Sequence, residues 1–253
     1  MRRPGVLVGM GALVTAVLGA TAGFGPVPYV VEMPGPTVNV LGDRDGEPVI
    51  TVTGAEVSAS AGKLLLTTVQ VQTRVRVADA VRSWFDDDRA MVPRDVVYPG
   101  GLTAEETDAR NTALFATSQE DATAAALRTV GNAGRPAVTF AAGDIGGPSA
   151  GLMFTLGIVD KLTREDLTGG RIVAGTGSVE ASGAVGPIGG IPLKLRGAQA
   201  AGAELFLVPE ANCAEALRNS RPGLTMAKVS TVDEALTALE TFTAGGLPQP
   251  CTA

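Results

Sequence analysis

Ser149 stands in the run Gly146-Gly147-Pro148-Ser149-Ala150-Gly151, directly ahead of an apolar stretch, and Lys194 closes the uncharged run Ile188-Gly189-Gly190-Ile191-Pro192-Leu193. A serine hydroxyl acts as a nucleophile when a neighbouring base takes its proton, and that base is most often an imidazole. This chain has no histidine. A lysine amine is the alternative base, and the residues around Lys194 suit it, so the two positions predict a Ser/Lys dyad able to attack a carbonyl. A serine at the start of a helix also has backbone N–H groups beside it. The amides near Gly146 and Gly147 are therefore candidates for holding an oxyanion, and the glycines let the backbone approach a substrate closely.

Each of these residues has a structural reading as well. Ser149 can serve as an N-cap for the helix after it, and Lys194 can be an ordinary solvated helix lysine. Against the second reading, no charge occurs from Val185 to Leu193, and small residues follow from Gly197 to Gly202. An unperturbed lysine is neutral in only about one molecule in 2,500 at pH 7, and burial is what enriches the free amine. Two look-alike motifs are set aside. Gly147 to Gly151 fits the GxSxG elbow, which requires a histidine behind the serine; Ser60-Ala61-Gly62-Lys63 fits SxxK, but it leads into a strand-like run and lacks its companion motifs.

Composition excludes several other chemistries. The net charge is −6 and the arginines are scattered, so no basic face exists to neutralise phosphates and nucleic acid is not an expected partner. No metal or cofactor is expected, because there is no histidine and the two cysteines, Cys213 and Cys251, are too far apart for a zinc ribbon or a CxxC pair. No GxxxxGK[ST] motif occurs, so no P-loop supplies ATP hydrolysis.

The elements that must hold these residues follow an α/β pattern. Arg2 and Arg3 precede an uncharged run, and Val6 to Phe24 as a helix would extend roughly 28 Å, close to the hydrocarbon thickness. Residues 1–25 thus read as a cytoplasmic tip and transmembrane anchor with the remainder outside, the alternative being a signal peptide cut after Ala20-Thr21-Ala22 and a secreted protein. Residues 26–48, rich in proline and glycine, read as an extended lead-in with at most edge-strand pairing, residues 49–240 as the folded domain and 241–253 as a tail. Strands are expected at Val49–Thr53, Leu64–Val71, Ala137–Ala141, Arg171–Val179, Leu205–Val208 and Thr225–Val229, with a strand-like Ala184–Ile191. Helices are expected at Val77–Phe85, from the Thr103 capping box, from a cap at Ser118 to Asp121, and at Ala150–Leu162 and Leu193–Gly202. Two more are expected after an Asn212 cap and from the Thr231 capping box, and Asn132 to Pro136 reads as a loop. With the cysteines outside the membrane, a Cys213–Cys251 disulfide pinning the tail is expected, two separate thiols being the alternative.

Gly146 to Gly151, the Thr176-Gly177 pair, and Gly186 to Ile191 with Lys194 together resemble the proteolytic domain of Lon proteases. The resemblance is closer still to the membrane-anchored, extracytoplasmic Lon-like proteases of Gram-positive bacteria. Val92-Pro93-Arg94, Val97-Tyr98-Pro99, Ser118-Gln119 and Asn212-Cys213 are similar to that family too, and coverage extends from Tyr29 to about Leu239. The resemblance implies a Lon-type α/β (α+β) domain behind an N-terminal transmembrane helix. It also implies Ser149 as nucleophile, Lys194 as general base, Thr176 as the residue that positions the lysine, polypeptide substrates, and a homo-oligomeric, hexameric ring. Two features depart from the pattern. The PDZ domain usual in such relatives has no room between Thr129 and Ala137, and Gly146 and Ser178 stand where classical Lon enzymes carry an aspartate and a glutamate. The expected activity is ATP-independent serine endopeptidase action on flexible segments outside the membrane; the alternative is a catalytically silent scaffold or peptide-binding protein of the same fold.

Overall fold

A computed structural model of the chain describes residues 4–24, 27–131, 136–143 and 145–252. The first elements are α1 (Pro4–Phe24), β1 (Tyr29–Asn39), β2 (Asp43–Arg44), β3 (Glu47–Pro48), β4 (Ile50–Thr53), β5 (Lys63–Gln72), α2 (Val77–Ser83), β6 (Ala90–Pro93) and α3 (Arg94–Val97). Then come α4 (Ala104–Thr129), β7 (Ala137–Phe140), α5 (Gly151–Leu162), β8 (Ile172–Gly175), β9 (Ser178–Val179), β10 (Val185–Gly186) and α6 (Ile191–Ala200). The chain closes with β11 (Leu205–Pro209), α7 (Cys213–Arg218), β12 (Thr225–Val229) and α8 (Val232–Thr243). Two compact units divide it: Met1–Met33 with Gln70–Leu102, and Pro34–Val69 with Thr103–Ala253.

In the first unit the start of β1 pairs antiparallel with β6, from Tyr29 opposite Pro93 to Glu32 opposite Ala90. The extended lead-in contains the strand β1. Pro34 and Pro36 fall beyond the four paired residues, so their missing N–H groups cost this ladder nothing, and Val30 and Val31 are fully buried. The expected N-terminal helix is present as α1. The transmembrane expectation finds no support: among the described residues no helix is long and apolar enough to cross a membrane. The side chains of residues 4–7, 18 and 20–24 lie outside the described ones, and so does the expected cleavage site in Ala20-Thr21-Ala22.

The second unit is a sheet in the order β12-β11-β8-β5-β1, whose β5–β8, β8–β11 and β11–β12 pairs are parallel. Its strands alternate between two cores. Leu64, Leu66, Val173, Leu205, Leu207, Ala227 and Val229 face one cluster, which also holds residues of α4, α5 and α8. Leu65, Ala174, Phe206 and Val208 face the other, filled by Ile191, Leu195 and Ala198 of α6 and by Ala216 of α7. A parallel sheet covered on both faces produces this pattern, and it explains why the strands read as continuous apolar runs. Helix α5 is buried along Gly151–Asp160, which suits a helix apolar on every side.

Several boundaries differ from the sequence expectation, each for a local reason. The stretch from Ala104 to Thr129 is one continuous helix, since Ser118 turns its hydroxyl to another segment and caps nothing. Arg171–Val179 divides into β8 and β9, because the chain breaks from the ladder at Thr176-Gly177. Ala184–Ile191 is strand only at β10, and Gly190 in the left-handed region (φ 75°) starts α6 two residues early. The loop expected at Asn132 to Pro136 lies outside the described residues apart from Pro136.

Candidate active site

The candidate residues all belong to the second unit. Ser149 sits in a 3₁₀ turn, Pro148–Ala150, that runs straight into α5. Thr176, fully buried, follows β8, and its N–H donates to the Leu207 carbonyl of β11 at 3.3 Å. Two reciprocal backbone bonds stitch these segments together: Gly177 N–H to the Ser149 carbonyl and Leu152 N–H to the Gly177 carbonyl, each 3.0 Å. Gly151 is where they press closest. A Cβ there would lie 3.0 Å from both Ser118 Oγ and the Val179 nitrogen, so only glycine fits without displacing backbone.

Lys194 lies in the first turn of α6 and is 3% exposed, between Leu193 and Leu195, which are also buried. Its Nζ donates to Thr176 Oγ1 at 2.9 Å, and Thr176 Oγ1 donates to the Ser149 carbonyl at 3.1 Å. The threonine thus bridges the lysine and the serine turn. Burial disfavours the ammonium and lowers the Lys194 pKa from 10.5 to about 8. With Thr176 occupying one N–H, the lone pair of the neutral amine remains for a proton.

The lysine is aimed by the loop before α6. Gly190 takes a positive φ in a crowded place, where a Cβ would come 2.7 Å from Val69 Cγ2. Asn212 holds the same loop at Ile188 from both sides, its Oδ1 accepting from the Ile188 N–H at 3.0 Å and its Nδ2 donating to the Ile188 carbonyl at 2.9 Å. The cap expected from Asn212 is absent; its amide is spent on Ile188, though it does occupy the position before α7. Adjacent Cys213 forms a disulfide with Cys251.

The serine turn has a second support that the sequence reading did not identify. Ser118 Oγ donates to the Pro148 carbonyl at 3.1 Å, and the Asn111 carbonyl accepts the Gly147 N–H at 3.0 Å, so α4 grips the turn at two points. The sequence signals were the polarity of Ser118, which also fits a helix cap, and the place of Ser118-Gln119 in the family resemblance. The sequence reading expects the amides near Gly146 and Gly147 to hold an oxyanion; in this structure the Gly147 N–H is donated to the Asn111 carbonyl. Gly146 is exposed, and a Cβ on it would lie 3.1 Å from Asn111 Cβ. The SxxK look-alike is structural, since Ser60 Oγ donates to both carboxylate oxygens of Asp160 at 2.7 and 2.8 Å while Lys63 is exposed. Among the described residues no cluster of three or more histidine, cysteine, aspartate or glutamate side chains could hold a metal.

Residues 138–241 match the Lon protease (S16) C-terminal proteolytic domain, and that stretch contains Ser149, Thr176 and Lys194. The chain is also similar to Lon protease 2 of Herpetosiphon aurantiacus, at 38% identity over 93 residues. That alignment takes in 36% of this chain and 11% of the relative, so the chain matches about a tenth of the relative's length.

Proposed function

We propose that the protein is a serine endopeptidase in which Ser149 and Lys194 form the catalytic dyad. The observation that carries this reading is the buried Lys194 amine, with its pKa brought down to about 8 and a hydrogen bond to Thr176, the residue that in turn bonds the Ser149 carbonyl. Neutral Lys194 takes the proton from Ser149 Oγ as the oxygen attacks the scissile carbonyl. The resulting ammonium then protonates the leaving amine, and water repeats the cycle on the acyl-enzyme. Thr176 keeps the amine directed throughout.

ATP-independent action on flexible polypeptides is part of this proposal. The buried Cys213–Cys251 disulfide supports an oxidising, extracytoplasmic location, and the apolar α1 supports association with a membrane. The likeness to Lon proteolytic domains supports assembly into a homo-oligomer. The engaged Gly147 amide favours the rival reading, a silent scaffold, because an oxyanion needs donors that are free. Casein cleavage across pH 7 to 10 separates the two. Ser149→Ala and Lys194→Ala are each expected to abolish cleavage while folding and assembly persist; no cleavage by the unaltered protein at any concentration supports the scaffold, and cleavage surviving both substitutions moves the site elsewhere.

A further inference from the structure

In the first unit, α2 buries none of its residues, and Val77, Val81, Trp84 and Phe85 recur at helical spacing along it and just past its end. Trp84 is 80% exposed and Phe85 86%, the most exposed aromatic rings among the described residues. Leaving two such rings in water is costly, and a monomer rarely does so without a partner for them. Helix α1, in the same unit, is 21 residues long without a charge. Its residues 8–17 are all exposed, among them Val8, Met10, Leu13 and Val14. The chain leaving α1 is tied to the chain entering α2 by the Val27 N–H to Val75 carbonyl bond, 3.2 Å, and the two helices lie against each other. The aromatic pair therefore belongs to a surface continuous with α1.

We infer that Trp84 and Phe85 insert into the interfacial layer of a lipid bilayer beside α1 and hold the first unit against it. The inference rests on the membrane location proposed above but does not require α1 to span. A second copy of the chain covers one stripe of a helix, whereas residues 8–17 of α1 are exposed on every side, so the apolar surface beside the rings is wider than one protein partner covers and suits the surface of a bilayer. Tryptophan and its neighbouring ring suit the boundary between headgroups and acyl chains. The adjacent charges offset one another, Arg74, Arg76 and Arg82 before the rings and Asp86, Asp87 and Asp88 after them. Apolar insertion, and not attraction to anionic lipid, then supplies the binding, and neutral vesicles suffice.

Trp84 is the only tryptophan in the chain, so its fluorescence reports this surface alone. The full chain is mixed with phosphatidylcholine vesicles, floated on a density gradient, and read for emission and for quenching by lipids brominated at shallow or deep acyl positions. The expected result is flotation, a blue-shifted emission, stronger quenching by shallow than by deep bromines, and loss of that quenching in Phe85→Asp. Casein cleavage on the same samples is expected to be unchanged by Phe85→Asp, which separates this inference from the catalytic reading. Flotation with Trp84 still water-exposed overturns the inference and leaves the membrane location standing. A blue shift that follows protein concentration without lipid assigns the surface to a second copy and also overturns it, and failure to float overturns inference and location together.

Discussion

Lys194 is held in a protonation state that its own folding disfavours, and that tension has two measurable consequences. For catalysis the amine must be neutral. With a pKa of about 8, roughly one molecule in ten has the free amine at pH 7. Cleavage rate is expected to climb with pH through the region around 8 and to level off above it; a flat profile from pH 6.5 to 9.5 would show that Lys194 is not the base. For stability the sign follows from proton binding. The unfolded lysine titrates near 10.5 and the folded one near 8, so between those values the unfolded chain holds the extra proton and stability rises with pH. Below about pH 8 the buried amine costs the fold about 3 kcal/mol. Lys194→Met, which keeps the volume and removes the charge, is expected to abolish cleavage yet stabilise the protein by about 1 to 3 kcal/mol at pH 7, allowing for the lost Thr176 bond. The gain should shrink toward pH 10.5. Urea unfolding at pH 7 and pH 10 checks this, and a Met variant less stable at pH 7 contradicts it.

At the scale of elements, the site is a meeting of ends: the start of α5, the end of β8 and the start of α6. Asn212 contributes nothing to the chemistry but fixes one of these ends through its two bonds to Ile188. Asn212→Ala leaves an amide and a carbonyl of the loop without protein partners, and at about 1 kcal/mol per bond it is expected to lower kcat/KM by up to roughly thirtyfold. It should also move the pH–rate midpoint upward, as water reaches Lys194 and relieves its desolvation. An unchanged midpoint would mean that Asn212 serves the loop alone. These supports were poorly legible in the sequence. The continuous apolar runs announced β5, β8, β11 and β12, and Ser149 and Lys194 stood out because no histidine competed with them. Ser118 and Asn212 read as helix caps because capping residues and residues that tie distant loops are the same types. The prolines of β1 concealed a strand whose ladder with β6 ends before Pro34. Thr176 looked like part of one strand, although the bend it occupies is what frees its hydroxyl for Lys194.

At the scale of the whole molecule, the C-terminal segment is tied back onto the second unit. Gln249 accepts the Lys228 N–H at 2.9 Å, Pro250 bridges Ala227 beside β12, and Cys251 bonds Cys213 across 38 residues. The expected tail, residues 241–253, begins inside α8, and its residues 249–251 form a strap whose far end lies next to Asn212. Closing a loop of that length contributes roughly 4 kcal/mol in the chain-entropy account. Replacing both cysteines by serine is expected to lower the urea midpoint accordingly and to expose residues 245–252 to proteolysis before the rest of the second unit opens. Thiol titration of the unfolded, unreduced protein should find none free; two free thiols would remove the strap and, with it, the strongest support for an oxidising location. Because Cys213 follows Asn212 directly, reduction should also slow cleavage through the Ile188 loop, and by less than Asn212→Ala, since the amide that holds the loop is still there.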